Sequence, residues 1–562
     1  MITYEKADTF IRSQQWDEII RNKPLAAGLG VLSHLLLAQG EPDHSMYIVL
    51  MLWATVLGLV TYVEYTLDER VHSIGDAVLV SGSAAAVYFG TLIVSMGLYR
   101  AFFHRLRKFP GPFMARLSKW YGVSLVLPDF QYYWKVQKLH EKYGDIVRTG
   151  PRELSVATAD AVPLIHGIAS KCTKGPWYDS AKHIEGSSLH STRSKQDHKE
   201  RRRIWDRAFN AKSLREYEPR INRHSFALMQ KLKENAHEPS LRISNWVNFY
   251  SFDVMGDIGF SRSFGMLAKG EEDYLITSLH KSMAPMSVFG HVGWLMNLIL
   301  RTAVGAKDIR DFMDWTSKVL RDRKKAKVVP KENDIFSWLL DPNDEDIPLH
   351  LNADTRLVIV AGSDTTAASL TWLCYELCKN PEAQAKLRQI IDDAASDKTF
   401  LDVEDVANIP HLDGVINEGM RLHPGVPSGV QRETPPEGLR FRDIYIPGNT
   451  LIWMPIHTMQ RDERYFPDPL KFVPERWTTE RPDLLVDKRA FMPFSTGVYS
   501  CIGQKLAMME IRSVIANLVR NFEIEFAADE DGGAAEKKTR DCFTLNVGKL
   551  DVRLIPRQSA KV

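Results

Sequence analysis

Apolar positions fall into two regimes along this chain. Before residue 100 they run together without charge, and after it they recur at helical spacing among polar residues. Met46 to Val63 and Ala77 to Leu98 contain no charged side chain. Each reads as a transmembrane helix, which takes roughly 18 or more apolar residues in succession. Leu25 to Ala38 is shorter, is interrupted by Ser33 and His34, and is marginal as a span. A cluster of buried helices is the competing reading, disfavoured because no amphipathic partner lies nearby. Glu5, Asp8, Asp17 and Glu18 at the start argue against a cleavable signal peptide. Arg100, Arg105, Arg107 and Lys108 follow the third run, and such a cluster marks the cytoplasmic side. Lys6, Arg12, Arg21 and Lys23 place positive charge at the N-terminus too. The prediction is an anchor of two or three helices. Two spans leave both ends on one side and three do not, and the count stays open.

Phe109-Pro110-Gly111-Pro112 reads as a stiff turn between the anchor region, 1–108, and a globular region, 109–562. Helical periodicity predicts helices over Asp129–Tyr143, Lys195–Phe209, Asn222–Glu234 and Asp354–Lys379. Short β-branched or alternating runs predict strands at Ile146–Thr149, Leu154–Ala157, Leu451–Met454 and Phe543–Val547. Ala527 to Asp541, charged and glycine-containing, reads as a surface loop. The predicted fold class is mainly α with small β-sheets.

Composition changes this picture little. The 562 residues carry 72 Lys and Arg against 70 Asp and Glu, so no global charge points to nucleic acid. The five cysteines, Cys172, Cys374, Cys378, Cys501 and Cys542, form no disulfide or zinc framework. They suit a reducing compartment for the globular region.

One cysteine has a distinctive setting, Phe494-Ser-Thr-Gly497-Val-Tyr499-Ser-Cys501-Ile-Gly503, followed by an apolar-periodic run to Phe522. The pattern predicts a tight loop that delivers a thiolate at the start of a helix. Gly497 and Gly503 permit positive φ and close approach by a flat ligand. The helix N-terminus favours an anionic sulfur, and such a thiolate is an axial ligand for haem iron. The plain alternative is an inert buried cysteine.

Ala361-Gly362-Ser363-Asp364-Thr365-Thr366 interrupts an apolar helix with an acid and hydroxyls, which are costly there without a partner or a role. Gly362 would admit a ligand or a second backbone. The Thr hydroxyls would back-bond and open the helix, unless the segment is only a packing kink. Glu418 and Arg421 lie at i,i+3 on an apolar helix, and Arg476 follows in the Pro-bounded loop Pro474-Glu475-Arg476-Trp477. These three would form a satisfied buried charge network.

In this order and spacing, the four motifs resemble those of the cytochrome P-450 superfamily of haem-thiolate monooxygenases, over roughly Phe109 to the C-terminus. The resemblance implies a cytochrome P-450 fold behind the anchor and a haem b whose iron takes Cys501 as proximal ligand. Phe494 resembles the aromatic residue near that sulfur. Asp364 and Thr365 resemble the acid–alcohol pair that delivers protons on the distal side, and Glu418, Arg421 and Arg476 the structural triad. His198 and Arg202, in the basic run His198 to Trp205, and Arg432 resemble propionate contacts, although a solvated basic face competes for the arginines. Many members carry a basic residue where this chain has Tyr499. A tyrosine offers a propionate a hydroxyl but no charge, so Arg202 and Arg432 are expected to take more of that load.

The implied activity is insertion of one oxygen atom from O2 into a lipophilic small molecule. No flavin or dinucleotide fingerprint is present, so electrons are expected from NADPH through a separate reductase, docked by a basic surface that includes Lys505 and Arg512. The implied location is the endoplasmic reticulum membrane, with the catalytic region facing the cytoplasm. Two readings compete: a haem-thiolate isomerase or dehydratase that uses no O2, which the intact Asp364 and Thr365 disfavour, and a non-catalytic membrane haem-binding protein. Substrate-facing segments are expected within Trp177–Ser194, Met283–Trp294, the distal helix, Val426–Val430 and Cys542–Asn546. Their mainly apolar side chains include Met283, Met286, Val288, Phe289 and Trp294. His280 and His291 could orient the substrate, although surface or loop histidines are the favoured reading. The anchor and loop wording resemble filamentous-fungal members of secondary-metabolite pathways, of the tryprostatin-type indole-alkaloid hydroxylase kind.

Overall fold

The computed structural model describes residues 19–40, 45–68, 70–179, 186–301, 307–326, 333–341, 346–394 and 398–557. Three helices open it: α1 (Lys23–Leu37), α2 (Met46–Leu67) and α3 (Ile74–Leu98). Asn22 caps α1 by accepting the Leu25 N–H, and Ser73 caps α3 by accepting that of Asp76. Met46–Thr66 and Ile74–Phe103 are long and apolar enough to cross a membrane. At 15 residues, α1 spans about 22 Å, short of a hydrocarbon core of about 30 Å. It lies against α3, where a side chain on Gly30 would meet the Tyr88 carbonyl at 2.5 Å. Polar contacts cross the bundle: Tyr88 donates to Ser33 at 2.6 Å, and Thr61 and Ser81 lie 2.7 Å apart.

The helix Leu349–Lys379 also has the length and composition of a span, but 67% of its apolar window is buried in protein, against 0% for that of α2. It is the central helix of the globular region. The helix Ile243–Phe260 packs along it, close because Gly362 leaves room for Met255, whose sulfur would lie 2.6 Å from a Cβ at that position. That assigns Gly362 to helix packing rather than to a ligand. The helix Lys195–Ala208 is tied to the same rod. Arg201 donates to Asp354 at 2.7 Å, and Asp354 also accepts the Leu189 N–H at 2.7 Å. Asp354→Ala would leave Arg201 buried without its carboxylate. The expected cost is about 3–5 kcal/mol, read as a lowered unfolding midpoint.

The sheets are small. β1 (Ile146–Gly150), β2 (Glu153–Val156), β3 (Thr173–Lys174), β5 (Gln431–Glu433) and β8 (Leu451–Trp453) form one sheet in the order β1-β2-β8-β5-β3. β4 (Leu241–Arg242), β12 (Asp551–Pro556) and β9 (Phe522–Phe526) form another. β6 (Leu439–Phe441) pairs with β7 (Ile444–Ile446), and β10 (Arg540–Cys542) with β11 (Thr544–Asn546). The Phe109–Pro112 turn docks on β1, with the Pro110 carbonyl accepting the Arg148 N–H at 2.7 Å.

Four expectations are corrected. The helix expected from Asn222 begins at Ala211 and runs through Pro219, because its buried face continues through Leu214, Tyr217 and Ile221. The helix expected from Asp129 begins at Tyr132. Ala527–Asp541 is no surface loop. It holds the short helix Gly533–Lys538 and part of β10, with Ala535 and Thr539 fully buried. The central helix does not open at Thr365. The Thr365 hydroxyl donates to the Ala361 carbonyl at 2.7 Å, and helix continues through Lys379.

Candidate active site

The cysteine loop is a backbone construction. The Cys501 N–H donates to the Phe494 carbonyl at 2.9 Å and the Ser500 N–H to that of Gly497 at 3.1 Å. Gly497 has φ 72°, and a Cβ there would sit 1.9 Å from the His166 carbonyl oxygen. Only glycine fits that position. Gly497→Ala is expected to displace the loop and abolish haem incorporation, measured as haem bound per protein. Gly503 is different: its φ is −81°, so its role is not the positive φ expected of it. It caps the helix Gln504–Asn521, and backbone N–H groups at Gly503 and Gln504 point at the Cys501 sulfur. Burial pushes the Cys501 thiol up, while these groups and Arg202 favour its anion. The Cys501 side chain nevertheless has free surface. Protein still surrounds it. Phe494 is half-buried against the core.

Above the loop lies a cationic cradle. The antiparallel register of β3 with β5 sets Lys174 directly opposite Arg432. Both are buried. Like charges so placed repel, and an anion between them would relieve the cost. Lys174 donates to the Leu189 carbonyl at 3.0 Å and the His190 carbonyl at 2.6 Å. Burial and Arg432 lower its amine to about 6. Tyr499 occupies the centre: its ring lies 4.8 Å from the Lys174 amine and 4.8 Å from the Arg432 guanidinium. The His198 ring meets it edge-on at 4.7 Å. Burial and Lys174 lower His198 to about 4, so its ring is neutral and contributes a hydrogen bond rather than a charge. Arg432 Nε, Tyr499 OH and His198 Nδ1 are buried and lack partners among the described residues. Arg202 donates to the Ser500 carbonyl at 2.9 Å and to Asp206 at 2.9 Å, bracing the loop.

These residues fit a haem. Cys501 keeps accessible surface, and the open polar atoms of Arg432, Tyr499 and His198 beside Lys174 suit a pair of carboxylates. Lys174 was missed in the sequence because its partner strand lies far along the chain.

On the central helix, Asp364 and Ser363 are buried, while Ala361 is exposed and Thr365 half-exposed. Gly425 approaches Thr365, with 3.7 Å available to a Cβ. Asp364 Oδ1 lies 3.3 Å from His280 Nε2, and its Oδ2 is buried without a partner among the described residues. His280 is therefore no surface residue. His291 packs on Tyr132 at 4.6 Å, and burial with Lys119 lowers it to about 4.

Glu418, Arg421 and Arg476 are brought together. Arg421 donates to both Glu418 oxygens at 2.8 and 2.9 Å, and Arg476 to Oε1 at 2.9 Å. Trp477 and the Val473 N–H add two further bonds to the same carboxylate. The remaining guanidinium donors reach the carbonyls of Gln460, Pro469, Lys471, Pro467, Leu484 and Asp468.

Trp177 stacks on Phe543 at 4.7 Å and meets Trp453 edge-on at 5.9 Å, which brings two of the expected substrate segments together. Val288, Phe289 and Trp294 instead pack with Val123 and Val126. The Met286 side chain, and residues 180–185 of Trp177–Ser194, lie outside the described residues. Arg512 is committed to Asp413 at 2.6 Å, while Lys505 is exposed.

Comparison with known proteins agrees with this geometry. A profile of the family Cytochrome P450 matches residues 117–550. The chain is 38% identical to the cytochrome P450 monooxygenase FCK2 of Fusarium pseudograminearum, over 93% of this chain and 96% of that protein. It is 37% identical to cytochrome P450 monooxygenase notG' of Aspergillus versicolor, over 94% and 96%. It is 38% identical to tryprostatin B 6-hydroxylase of Neosartorya fischeri, over 88% and 89%. Both the site and these similarities lead to one statement: the chain belongs to the cytochrome P450 family.

Proposed function

We propose that this protein is a haem-thiolate monooxygenase that inserts one oxygen atom from O2 into a lipophilic small molecule of fungal secondary metabolism. In this reading residues 1–108 anchor it in the endoplasmic reticulum membrane, and residues 109–562 form the catalytic domain on the cytoplasmic side. Electrons come from NADPH through a separate reductase, and the exposed Lys505 belongs to its docking face. The observation that carries the proposal is Cys501, which keeps accessible surface while backbone N–H groups and Arg202 favour its anion.

Bound haem would supply oxygen activation and transfer, with thiolate ligation favouring O–O cleavage. The chain's own residues do the rest. Cys501 would hold the iron from the helix N-terminus. Lys174, Arg432, His198 and Tyr499 would hold the propionates. Thr365 and Asp364 hold and pass protons on the distal side, as positioned general acids. Trp177 and Phe543 give the pocket a flat aromatic wall, suited to a planar or polycyclic apolar substrate. The likeness to a tryprostatin B hydroxylase makes indole alkaloids the first compounds to try.

Thr365→Ala tests the distal role. The expected result is an intact substrate-binding spectral shift, with product formation lowered about tenfold or more and NADPH electrons diverted to hydrogen peroxide. Unchanged product formation without peroxide would favour chemistry that uses no O2.

A further inference from the structure

The mechanism above leaves one buried cluster unused. His280 sits on the helix Tyr274–Phe289 with a carboxylate at each ring nitrogen. Its Nε2 is 3.3 Å from Asp364 Oδ1, and its Nδ1 is 3.2 Å from Glu272 Oε1. Side-chain exposure falls from 35% at Glu272 to 22% at His280 and 5% at Asp364. The three form a continuous line from solvent to the distal acid. Phe252 meets the imidazole edge-on at 6.2 Å from a neighbouring helix, Lys281 acts on Glu272, and Cys542 of β10 lies within the field of Asp364. Burial by itself would lower His280, but hydrogen bonds to Asp364 and Glu272 outweigh it and raise the ring to about 10. At neutral pH the line therefore holds a stored proton at its midpoint.

A purely structural bridge accounts for less of this arrangement. A tie between two helices is complete with both carboxylate oxygens engaged, whereas Asp364 keeps Oδ2 buried and open. An open buried acceptor is costly, and a proton leaving Asp364 would use it.

We propose that Glu272, His280 and Asp364 form the entry path that supplies solvent protons to the distal pocket. The path rests on the distal-acid role proposed for Asp364. One proton moves from His280 Nε2 to Asp364, and Asp364 releases one proton toward the Thr365 side, returning to the carboxylate. The neutral ring turns its vacated nitrogen outward. Glu272, a carboxylate at rest, then takes one proton from water and hands it to the neutral ring, which restores the protonated His280 and the Glu272 carboxylate. One proton crosses in each round and no electrons move. Glu272 and His280 are positioning residues, since neither touches the substrate or the haem.

The test uses the full-length, haem-loaded protein with its reductase, and compares Glu272→Gln, His280→Gln and Asp364→Asn. The two outer variants are expected to keep the substrate-binding shift and the reduced, CO-bound absorption band. Their product formation should fall about tenfold, with a larger solvent deuterium isotope effect and more hydrogen peroxide per NADPH. In the resting protein, NMR of isotope-labelled histidine should show the His280 titration shifted toward neutrality by Glu272→Gln. Wild-type rates and isotope effects in both outer variants, alongside an impaired Asp364→Asn, would overturn the path and leave the distal acid standing. An unimpaired Asp364→Asn would overturn both. A rate loss in His280→Gln with no change in isotope effect, and a silent Glu272→Gln, would reduce the cluster to a structural tie.

Discussion

Cys501→Ser leaves a folded protein that performs no monooxygenation and shows no thiolate-type absorption band when reduced and exposed to carbon monoxide. The fold survives because the loop is closed by backbone. The Cys501 N–H still donates to Phe494, and Gly497 still fits against His166. Cys501 is not among the buried hydrophobic core residues, so the change removes no core side chain. The chemistry does not survive. A serine hydroxyl is far less acidic than a thiol, and two N–H groups and Arg202 cannot make it an anionic ligand comparable to a thiolate. Absorption spectroscopy and product analysis read the two halves separately. Retention of the thiolate-type band by Cys501→Ser would remove Cys501 from the iron.

Glu418→Ala is expected to be the most damaging single change to stability. Arg421 and Arg476 are fully buried, and Glu418 is the carboxylate both share. Removing it strands two guanidiniums, where breaking one buried pair already costs about 3–5 kcal/mol. A domain's whole stability is about 5–15 kcal/mol, so the variant should fail to accumulate as folded, haem-containing protein. Glu418→Gln keeps an acceptor for the Val473 N–H and for one arginine, and should lie between the two. The order wild type, then Gln, then Ala should appear both in the unfolding midpoint and in haem content. An Ala variant with the wild-type midpoint would show that the backbone carbonyls around the arginines suffice alone.

What could be read from the sequence followed from locality. The anchor was legible because Met46–Val63 and Ala77–Leu98 carry no charged side chain. The triad was legible because Glu418 and Arg421 share one helical turn and Arg476 stands in a proline-bounded loop. Elements that depend on distant pairing were not. Lys174 gains its place only through the register of β3 against β5, and the Arg201–Asp354 pair joins two helices that no short-range pattern connects. His280 looked like a surface residue because its two carboxylate partners come from different segments. Ala527–Asp541 looked like a loop because its charges hide the burial of Ala535 and Thr539. Gly503 shows the opposite error, a glycine credited with a positive φ where the chain needed only a helix start.

The central claim is oxygen insertion at the Cys501 site. The most direct measurement supplies isotopically heavy dioxygen to the full-length protein with NADPH and a reductase in lipid vesicles, offers it indole alkaloids and fungal metabolite extracts, and follows products by mass spectrometry. The account predicts a product heavier by one oxygen atom that carries the label of the gas, formed only with NADPH and absent with Cys501→Ser. A product of unchanged mass, or one whose added oxygen comes from water, would contradict it.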